Sequence, residues 1–262
     1  MGKSGRTALI TGASAGLGRE FARLAARDGH DLVLVARRRD RLDELAGELG
    51  AAHGVAVSSV VVDLEDKTAA RQIAEQVQSA GLAIDLLINN AGFGSHGTFA
   101  QSELGRELGI IDVNVRTLVE LTHLFLPEML DRRHGRILNV ASVAGFVPGP
   151  FMATYYASKA FVLSFTEALS YELRGTGVTA TAACPGPTAT EFGTVAKSER
   201  TNLFRGVPAD AAAVARHGYR AMLAGKVVAI PGIKNKLIAQ SIRVGPRMVV
   251  RGISAHLNRV PS

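Results

Sequence analysis

The sequence predicts an α/β protein with one Rossmann-like, doubly wound sheet of about seven parallel strands and helices on both faces. Short β-branched segments alternate with amphipathic helical segments, which is typical of right-handed crossovers between parallel strands. Nearly every predicted strand is apolar on both of its faces, as central parallel strands must be. A length of 262 residues, 47% of them hydrophobic, fits one domain spanning residues 1–262.

The predicted elements follow this alternation along the chain. The strands span residues 7–11, 31–36, 56–62, 84–89, 135–142, 178–184 and 227–230. The helices span residues 16–28, 38–49, 66–80, 113–132, 153–174 and 209–224, and each keeps an apolar stripe. Residues 188–208, after the sixth strand, are predicted to be a substrate lid loop. Residues 231–262 are predicted to be a basic extension with helical spacing, interrupted at Gly245 and Pro246.

The net charge of +7 is distributed unevenly. No Asp or Glu follows Asp210, whereas nine Lys and Arg residues do. Such a segment can face nucleic acid, anionic lipid or a partner subunit. It lacks aromatic interleaving and nucleic-acid motifs, so we expect no nucleic-acid partner. A solvated surface or a subunit contact is the favoured interpretation, and peripheral membrane contact is the less favoured one.

Several features point to a cytoplasmic protein without metal. Cys184 is the one cysteine, so an intramolecular disulfide is excluded. No apolar stretch reaches the roughly 18 residues of a membrane span, and the first strand starts too early for a cleavable signal peptide. The seven histidines lack metal-ligand spacing.

A glycine-rich turn joins the first strand to the first helix. Gly12, Gly16 and Gly18 lie in the segment TGASAGLG. Glycines allow a tight turn and close approach of a pyrophosphate, and the N–H groups that begin the next helix favour an anion. The sequence therefore predicts a dinucleotide site at the carboxyl end of the first strand.

Six motifs, in this order, resemble those of the short-chain dehydrogenase/reductase family, of its NADP(H)-preferring type. They are Thr-Gly-x-x-x-Gly-x-Gly at 11–18, Asn-Asn-Ala-Gly at 89–92, Asn114, Ser142, Tyr-x-x-x-Lys at 155–159, and Pro-Gly at 185–186. The resemblance implies an oxidoreductase that moves a hydride between NADPH and a carbonyl or alcohol. It also implies Asn114, Ser142, Tyr155 and Lys159 as catalytic residues, and a homodimer or homotetramer.

Cofactor choice follows from the tip of the second strand. That tip reads Val-Ala-Arg-Arg-Arg at 35–39, with no carboxylate to accept from the ribose hydroxyls of NADH. A guanidinium pairs well with a 2′-phosphate. We therefore predict NADPH/NADP+ as cofactor, with Arg37 as the main contact and Ser14 as a further donor. Arg38 and Arg39 are expected to pair with acids of the following helix.

The remaining predicted contacts come from the motifs and the resemblance. The full set of predicted cofactor-binding residues is Gly12, Ser14, Gly16, Leu17, Gly18, Arg37, Asp63, Leu64, Asn90, Ala91, Gly92, Tyr155, Lys159, Pro185, Gly186, Thr188 and Thr190.

Tyr155 and Lys159 are four residues apart and share one helix face. We expect the ammonium to lower the tyrosine pKa from about 10, which would make Tyr155 a proton donor and acceptor near neutrality. Tyr156 is three residues before Lys159, and spacing alone does not exclude it; the resemblance selects Tyr155. It also implies that Ser142 donates to the substrate oxygen and that Asn114 holds a water that links Lys159 to solvent.

The substrate is indicated only coarsely. Phe93, Val143, Phe146, Phe151 and Phe192 fall in loops expected to ring the pocket, which suits an apolar carbonyl, although mutual packing explains them equally well. Two other functions remain open: an NADP(H)-sensing protein without turnover, and a membrane-associated binding protein.

Overall fold

The computed structural model describes residues 5–204, 206–241 and 245–260. Within them, seven parallel strands form one sheet in the order β3-β2-β1-β4-β5-β6-β7. The strands are β1 (Thr7–Thr11), β2 (Asp31–Ala36), β3 (Val57–Val61), β4 (Ile84–Asn89), β5 (Gly135–Val140), β6 (Val178–Ala183) and β7 (Val228–Ala229). The predicted fold class is confirmed. The strand order reverses between β1 and β4, and ligands of such sheets bind at this switch point.

Helices cover both faces of the sheet. They are α1 (Gly16–Arg27), α2 (Arg39–His53), α3 (Ala69–Ser79), α4 (Leu104–Ile111), α5 (Thr117–Asp131), α6 (Ala153–Glu172), α7 (Phe192–Ala196), α8 (Ala211–Leu223), α9 (Ile233–Ser241) and α10 (Arg247–Asn258).

Two buried clusters hold the helices against the sheet. Ile10 and Leu34 pack with residues of α1, α2 and α8, whereas the adjacent Leu9 and Val33 pack with residues of α3, α5 and α6. This alternation follows from the period of two in a strand. Strand β3 lies at the sheet edge and exposes Ser58, which explains why its sequence is less apolar.

The structure differs from the prediction before α5. Helix α4 was not predicted, although Leu104, Leu108 and Ile111 have helical spacing; in the structure these three side chains are exposed and do not face the core. A π-helical turn, Asp112–Arg116, then joins α4 to α5. Residue 113, where a helix was predicted to start, lies in this turn, and α5 itself begins at Thr117. Such turns often occur at functional sites, and this one carries Asn114.

The C-terminal extension is helical, as its spacing predicts. Helices α9 and α10 flank the interruption at Gly245 and Pro246, and residues 242–244 and 261–262 lie outside the described ranges. Residue 205 of the predicted lid loop lies outside them as well; the rest of that loop contains α7 and a 3₁₀ turn at Asn202–Phe204. None of the helices described has the length and apolar character needed to cross a bilayer.

Candidate active site

The glycine turn after β1 has the backbone geometry that an anion cradle needs. Gly12 and Gly16 have φ values of 66° and 52°, in the left-handed region that favours glycine. A Cβ on Gly18 would overlap the carbonyl oxygen of Gly12, so the turn and the first turn of α1 can approach only with glycine there. No side chain caps the start of α1, which leaves its first N–H groups, including that of Leu17, to a ligand.

Thr11 and Asn90 tie this turn to the loop after β4. Thr11 Oγ1 accepts from the backbone N–H groups of Asn90 and Ala91, both at 3.0 Å. Asn90 Nδ2 donates to the carbonyl oxygens of Thr11, at 2.9 Å, and Gly12, at 3.3 Å. The two sides of the switch point are therefore held together by hydrogen bonds. Sequence analysis did not single out Thr11, although its place at the start of the glycine motif was a usable signal.

Asn89, also in that motif, lies in the core. Its Nδ2 donates to Asn139 Oδ1 at 2.9 Å and to Thr122 Oγ1 at 3.2 Å. It therefore stabilises the sheet interior and faces away from the groove.

The arginines that follow β2 are arranged differently from the prediction. Arg38 faces the glycine turn, because its Nε and Nη2 donate to Ser14 Oγ at 3.3 and 3.2 Å. The expectation that Arg38 pairs with acids of α2 is wrong, because its Nη1 instead pairs with Glu191 at 2.8 Å. Arg39 is exposed.

Arg37 lies beside Asp63 and Glu65. Its Nη1 is 3.5 Å from a carboxylate oxygen of each. The Asp63 side chain is half exposed, and the neighbouring Leu64 is buried, with its carbonyl oxygen accepting from Thr117. The role of Arg37 as the main 2′-phosphate contact therefore stays a prediction. Arg38 provides a second guanidinium at the same end of β2.

Ser142, Tyr155 and Lys159 meet at the carboxyl ends of β5 and β6. Ser142 follows β5, where its Oγ accepts from the N–H of Ala144 at 3.1 Å and donates to the carbonyl oxygen of Pro185 at 3.3 Å. Tyr155 lies in the first turn of α6, with its side chain near that of Ser142. Lys159, one turn later, donates from Nζ to the carbonyl oxygen of Val140 at 2.7 Å.

Burial controls the protonation of this group. It raises the pKa of Tyr155 well above its ordinary value, and the nearby Ser142 side chain opposes that rise. Burial also lowers the pKa of Lys159 to about 8. The expectation that the ammonium lowers the Tyr155 pKa is wrong for this geometry: Lys159 Nζ is directed at the Val140 carbonyl and lies 5.9 Å from the centre of the tyrosine ring.

Tyr156 is oriented away from this group. Its hydroxyl donates to Oδ1 of Asn258 in α10 at 2.9 Å. The structure thus separates the two adjacent tyrosines, which spacing alone could not do. Sequence reasoning missed Asn258, since no local pattern indicates a partner 102 residues away.

Asn114 connects the π-helical turn to the loop after β4. Its Nδ2 donates to Phe93 O at 3.0 Å and to Ser158 Oγ at 2.9 Å, and its Oδ1 accepts from Phe93 N at 3.0 Å. A Cβ on Gly92 would come within 2.9 Å of Asn114 Oδ1 and 3.2 Å of Lys159 Nζ, so Gly92 permits this close packing. The water that Asn114 is expected to hold stays a prediction.

The loop after β6 lies over the groove. Thr190 packs against Gly16: a Cβ on Gly16 would lie 3.0 Å from the methyl group of Thr190. Glu191 pairs with Arg38 and, at 2.5 Å, with Arg41, and the Phe192 ring centre lies 5.0 Å from that of Tyr155. This segment therefore contacts both ends of the predicted site. Sequence analysis missed Glu191 and Arg41, which are 150 residues apart.

The rest of the loop is held by local contacts. Thr188 Oγ1 donates to the carbonyl oxygen of Gly186 at 2.9 Å, and a Cβ on Gly186 would come within 2.9 Å of Asn235 in α9. Phe192 packs in a cluster with Met152 and Tyr155, whereas Phe151 lies beside His96. An apolar wall thus adjoins Tyr155, although the expected ring of phenylalanines is only partly formed.

The described residues fit a nicotinamide dinucleotide. The left-handed glycines, the uncapped α1 and the close packing that Gly18 and Gly92 permit form a cradle at the switch point. Among the same residues, no group of three His, Cys, Asp or Glu side chains is placed to hold a metal ion. Cys184 is fully buried, and burial raises its thiol pKa to about 12, so it is not a nucleophile at neutral pH.

Comparison with known proteins agrees with this geometry. The family profile described as short chain dehydrogenase matches residues 6–201. The ketoacyl reductase HetN of Nostoc sp. is 39% identical over 183 residues, which cover 70% of this chain and 63% of that protein. The chain thus spans a little under two thirds of that relative.

Two solved structures are also similar. A short-chain dehydrogenase from Sphingobium yanoikuyae in complex with NADPH is 32% identical with a TM-score of 0.81, covering 92% of this chain and 96% of that one. A short-chain dehydrogenase/reductase from Burkholderia phymatum in complex with NAD is 27% identical with a TM-score of 0.82, covering all of both chains. The motifs, the fold and these matches together show that the chain belongs to the short-chain dehydrogenase family.

Proposed function

We propose that the protein is an NADP(H)-dependent oxidoreductase that reduces a ketone or aldehyde to an alcohol, and catalyses the reverse reaction with the same residues. The observation that carries this proposal is the convergence of Ser142, Tyr155 and Lys159 at the carboxyl end of the sheet, beside the glycine turn. A protein that only senses the cofactor has no need for this hydrogen-bonded group, so the non-catalytic alternative is less well supported.

The cofactor would be held by the glycine turn, the α1 N-terminus and the two arginines after β2. When bound, it supplies the hydride that adds to the carbonyl carbon. Two observations favour NADPH over NADH: the position of Arg38 against Ser14, and the second guanidinium of Arg37 at the same strand end. A 2′-phosphate pairs well with such groups.

The chain's own groups control the oxygen and the proton. The Ser142 hydroxyl turns from the Pro185 carbonyl oxygen and donates to the substrate oxygen, on which negative charge develops. Tyr155 keeps its proton at neutral pH, because burial raises its pKa, and transfers it to that oxygen. Lys159, whose Nζ donates to the Val140 carbonyl oxygen deep in the same site, is placed to bind the cofactor. Phe192 covers Tyr155 and excludes water from the reacting atoms.

The test is NADPH oxidation followed at its near-ultraviolet absorbance against a panel of apolar ketones and aldehydes. Tyr155→Phe should lower kcat by roughly 100-fold or more, since positioned proton transfer contributes about that much. Tyr156→Phe is the matched control, because it removes a tyrosine hydroxyl that is bonded to Asn258 outside the site, and it should keep most of the turnover. Full activity of Tyr155→Phe would refute the assignment of the acid.

We also propose a homo-oligomer. Leu124 of α5 and Phe161 of α6 are both 43% exposed, and Phe161 stacks on Phe165. Apolar side chains on adjacent outer helices support a subunit contact on this face. Light scattering in solution measures the assembly, and a monomer at all concentrations would refute this proposal.

A further inference from the structure

Helix α10 packs against the protein with its polar side and directs its apolar side outward. Ser254 and Asn258, four residues apart on one face, are buried. Val249, Ile253 and Leu257, also four residues apart, share another face and are exposed. The usual surface helix does the reverse, because burial of apolar side chains stabilises its docking. This helix therefore presents an apolar stripe that the described part of the chain leaves exposed.

Hydrogen bonds fix α10 in this orientation. The Tyr156 hydroxyl donates to Asn258 Oδ1 at 2.9 Å, and Asn258 Nδ2 donates to the carbonyl oxygen of Pro150 at 3.0 Å. Asn202 Nδ2 donates to the carbonyl oxygen of His256 at 2.9 Å. A rotation that buried the apolar stripe would break these bonds and leave the buried Tyr156 hydroxyl without its Asn258 partner.

Helix α9 shows the same exposure. Ile233 and Leu237 are four residues apart, and 78% and 66% of their surfaces are accessible. We use the name C-terminal surface for the exposed apolar residues of both helices: Ile233, Leu237, Met248, Val249, Ile253 and Leu257.

Charge indicates what covers this surface. After Asp210 the chain has nine Lys and Arg residues and no Asp or Glu, and these nine exceed the net charge of +7, so the remainder is slightly acidic. Lys236, Arg247 and Arg251 are exposed on the same two helices. A second copy placed symmetrically on this surface would bring two basic segments together, which is unfavourable. An anionic bilayer offers both apolar chains and opposite charge.

We propose that the C-terminal surface docks on an anionic lipid bilayer, with α10 lying in the membrane interface. Docking is independent of the proposed reductase function. It has one consequence for that function, because α10 bonds to Asn202 of the predicted lid loop and to Pro150. The membrane would lie beside the rim of the pocket, so a carbonyl lipid dissolved in the bilayer is the substrate class that this arrangement fits.

Sedimentation with sucrose-loaded vesicles tests the docking. The full chain should bind vesicles of phosphatidylcholine mixed with phosphatidylglycerol, bind pure phosphatidylcholine weakly, and be released by salt. The double variant Val249→Gln/Ile253→Gln should lower binding at least about tenfold, since two apolar side chains no longer enter the interface. Leu104→Gln is the control: this side chain is 68% exposed on α4, and its change should leave binding unaltered.

The charge contribution has its own pair of variants. Arg251→Gln should weaken binding to the anionic vesicles by about fivefold, in line with one basic residue near a charged surface. Arg71→Gln, at an exposed position on α3, should not.

Three results would overturn the proposal: no sedimentation of the unaltered protein with anionic vesicles, equal loss in the Leu104 control, or a lower solution mass for the double variant. The last result would make the surface a contact between copies. NADPH oxidation with a water-soluble ketone, measured on each variant, separates loss of docking from loss of the proposed activity.

Discussion

Glu191 occupies the guanidinium of Arg38, one of the two that we propose for the 2′-phosphate. Its carboxylate pairs with Arg38 at 2.8 Å and Arg41 at 2.5 Å, and these cations hold its pKa below the ordinary value. Arg38 in turn contacts Ser14 beside the glycine turn. An anionic cofactor group bound there has to displace Glu191 or share its partners. We therefore predict that Glu191→Gln tightens NADPH binding.

The magnitude follows from the exposure of the pairs. The side chains are 42–46% exposed, so each ion pair is worth about 0.5 kcal/mol. Loss of both pairs removes about 1 kcal/mol of competition, or roughly a fivefold lower Kd for NADPH. The Kd for NADH, which lacks the phosphate, should stay the same. The difference should shrink at high salt, because exposed charges are screened.

Cofactor fluorescence titrations measure both dissociation constants in the same buffer. Glu44→Gln is the matched control, because Glu44 is an exposed glutamate with one ion pair, to Arg19 at 3.0 Å, and lies on α2. Equal tightening for NADPH and NADH, or weaker NADPH binding, would refute the competition.

Three further predictions concern cofactor choice and pH. Arg37→Asp and Arg38→Asp should each weaken NADPH about tenfold more than NADH, since a charged hydrogen bond contributes roughly 1.5 kcal/mol; equal losses in titrations would contradict the phosphate contact. Because the Lys159 pKa is lowered to about 8, kcat/KM for ketone reduction should fall tenfold per pH unit above that value, and a flat profile up to pH 10 would refute a role for the ammonium. Burial lowers the pKa of His30 below 6.5, so the folded state binds fewer protons than the unfolded state. The contribution of neutral His30 to stability is therefore complete above pH 6.5, and it is lost as the pH falls through the pKa of His30 in the folded state. The melting temperatures at pH 5 and pH 7 should differ less in His30→Gln than in the unaltered protein.

Sequence determined the framework because its signals are local. Strands and helices were located to within a few residues, since the periods of two and 3.6 are set by the backbone itself. Helix α4 was missed although Leu104, Leu108 and Ile111 have helical spacing, and in the structure that stripe is exposed and does not face the core. The glycine turn was also readable, because a left-handed φ and a close approach restrict the residue type.

The tertiary structure decided which side chains meet and how they ionise. Glu191 lies 153 residues from Arg38, and Asn258 lies 102 residues from Tyr156, so no local pattern pairs them. The pKa of Tyr155 depends on burial by Phe192 and α6, which spacing along one helix cannot report. In α10, apolar periodicity predicted a helix, but only the hydrogen bonds of Asn258 determined that its polar side faces the protein. Periodicity fixes the shape of a helix, whereas its orientation depends on contacts with distant residues.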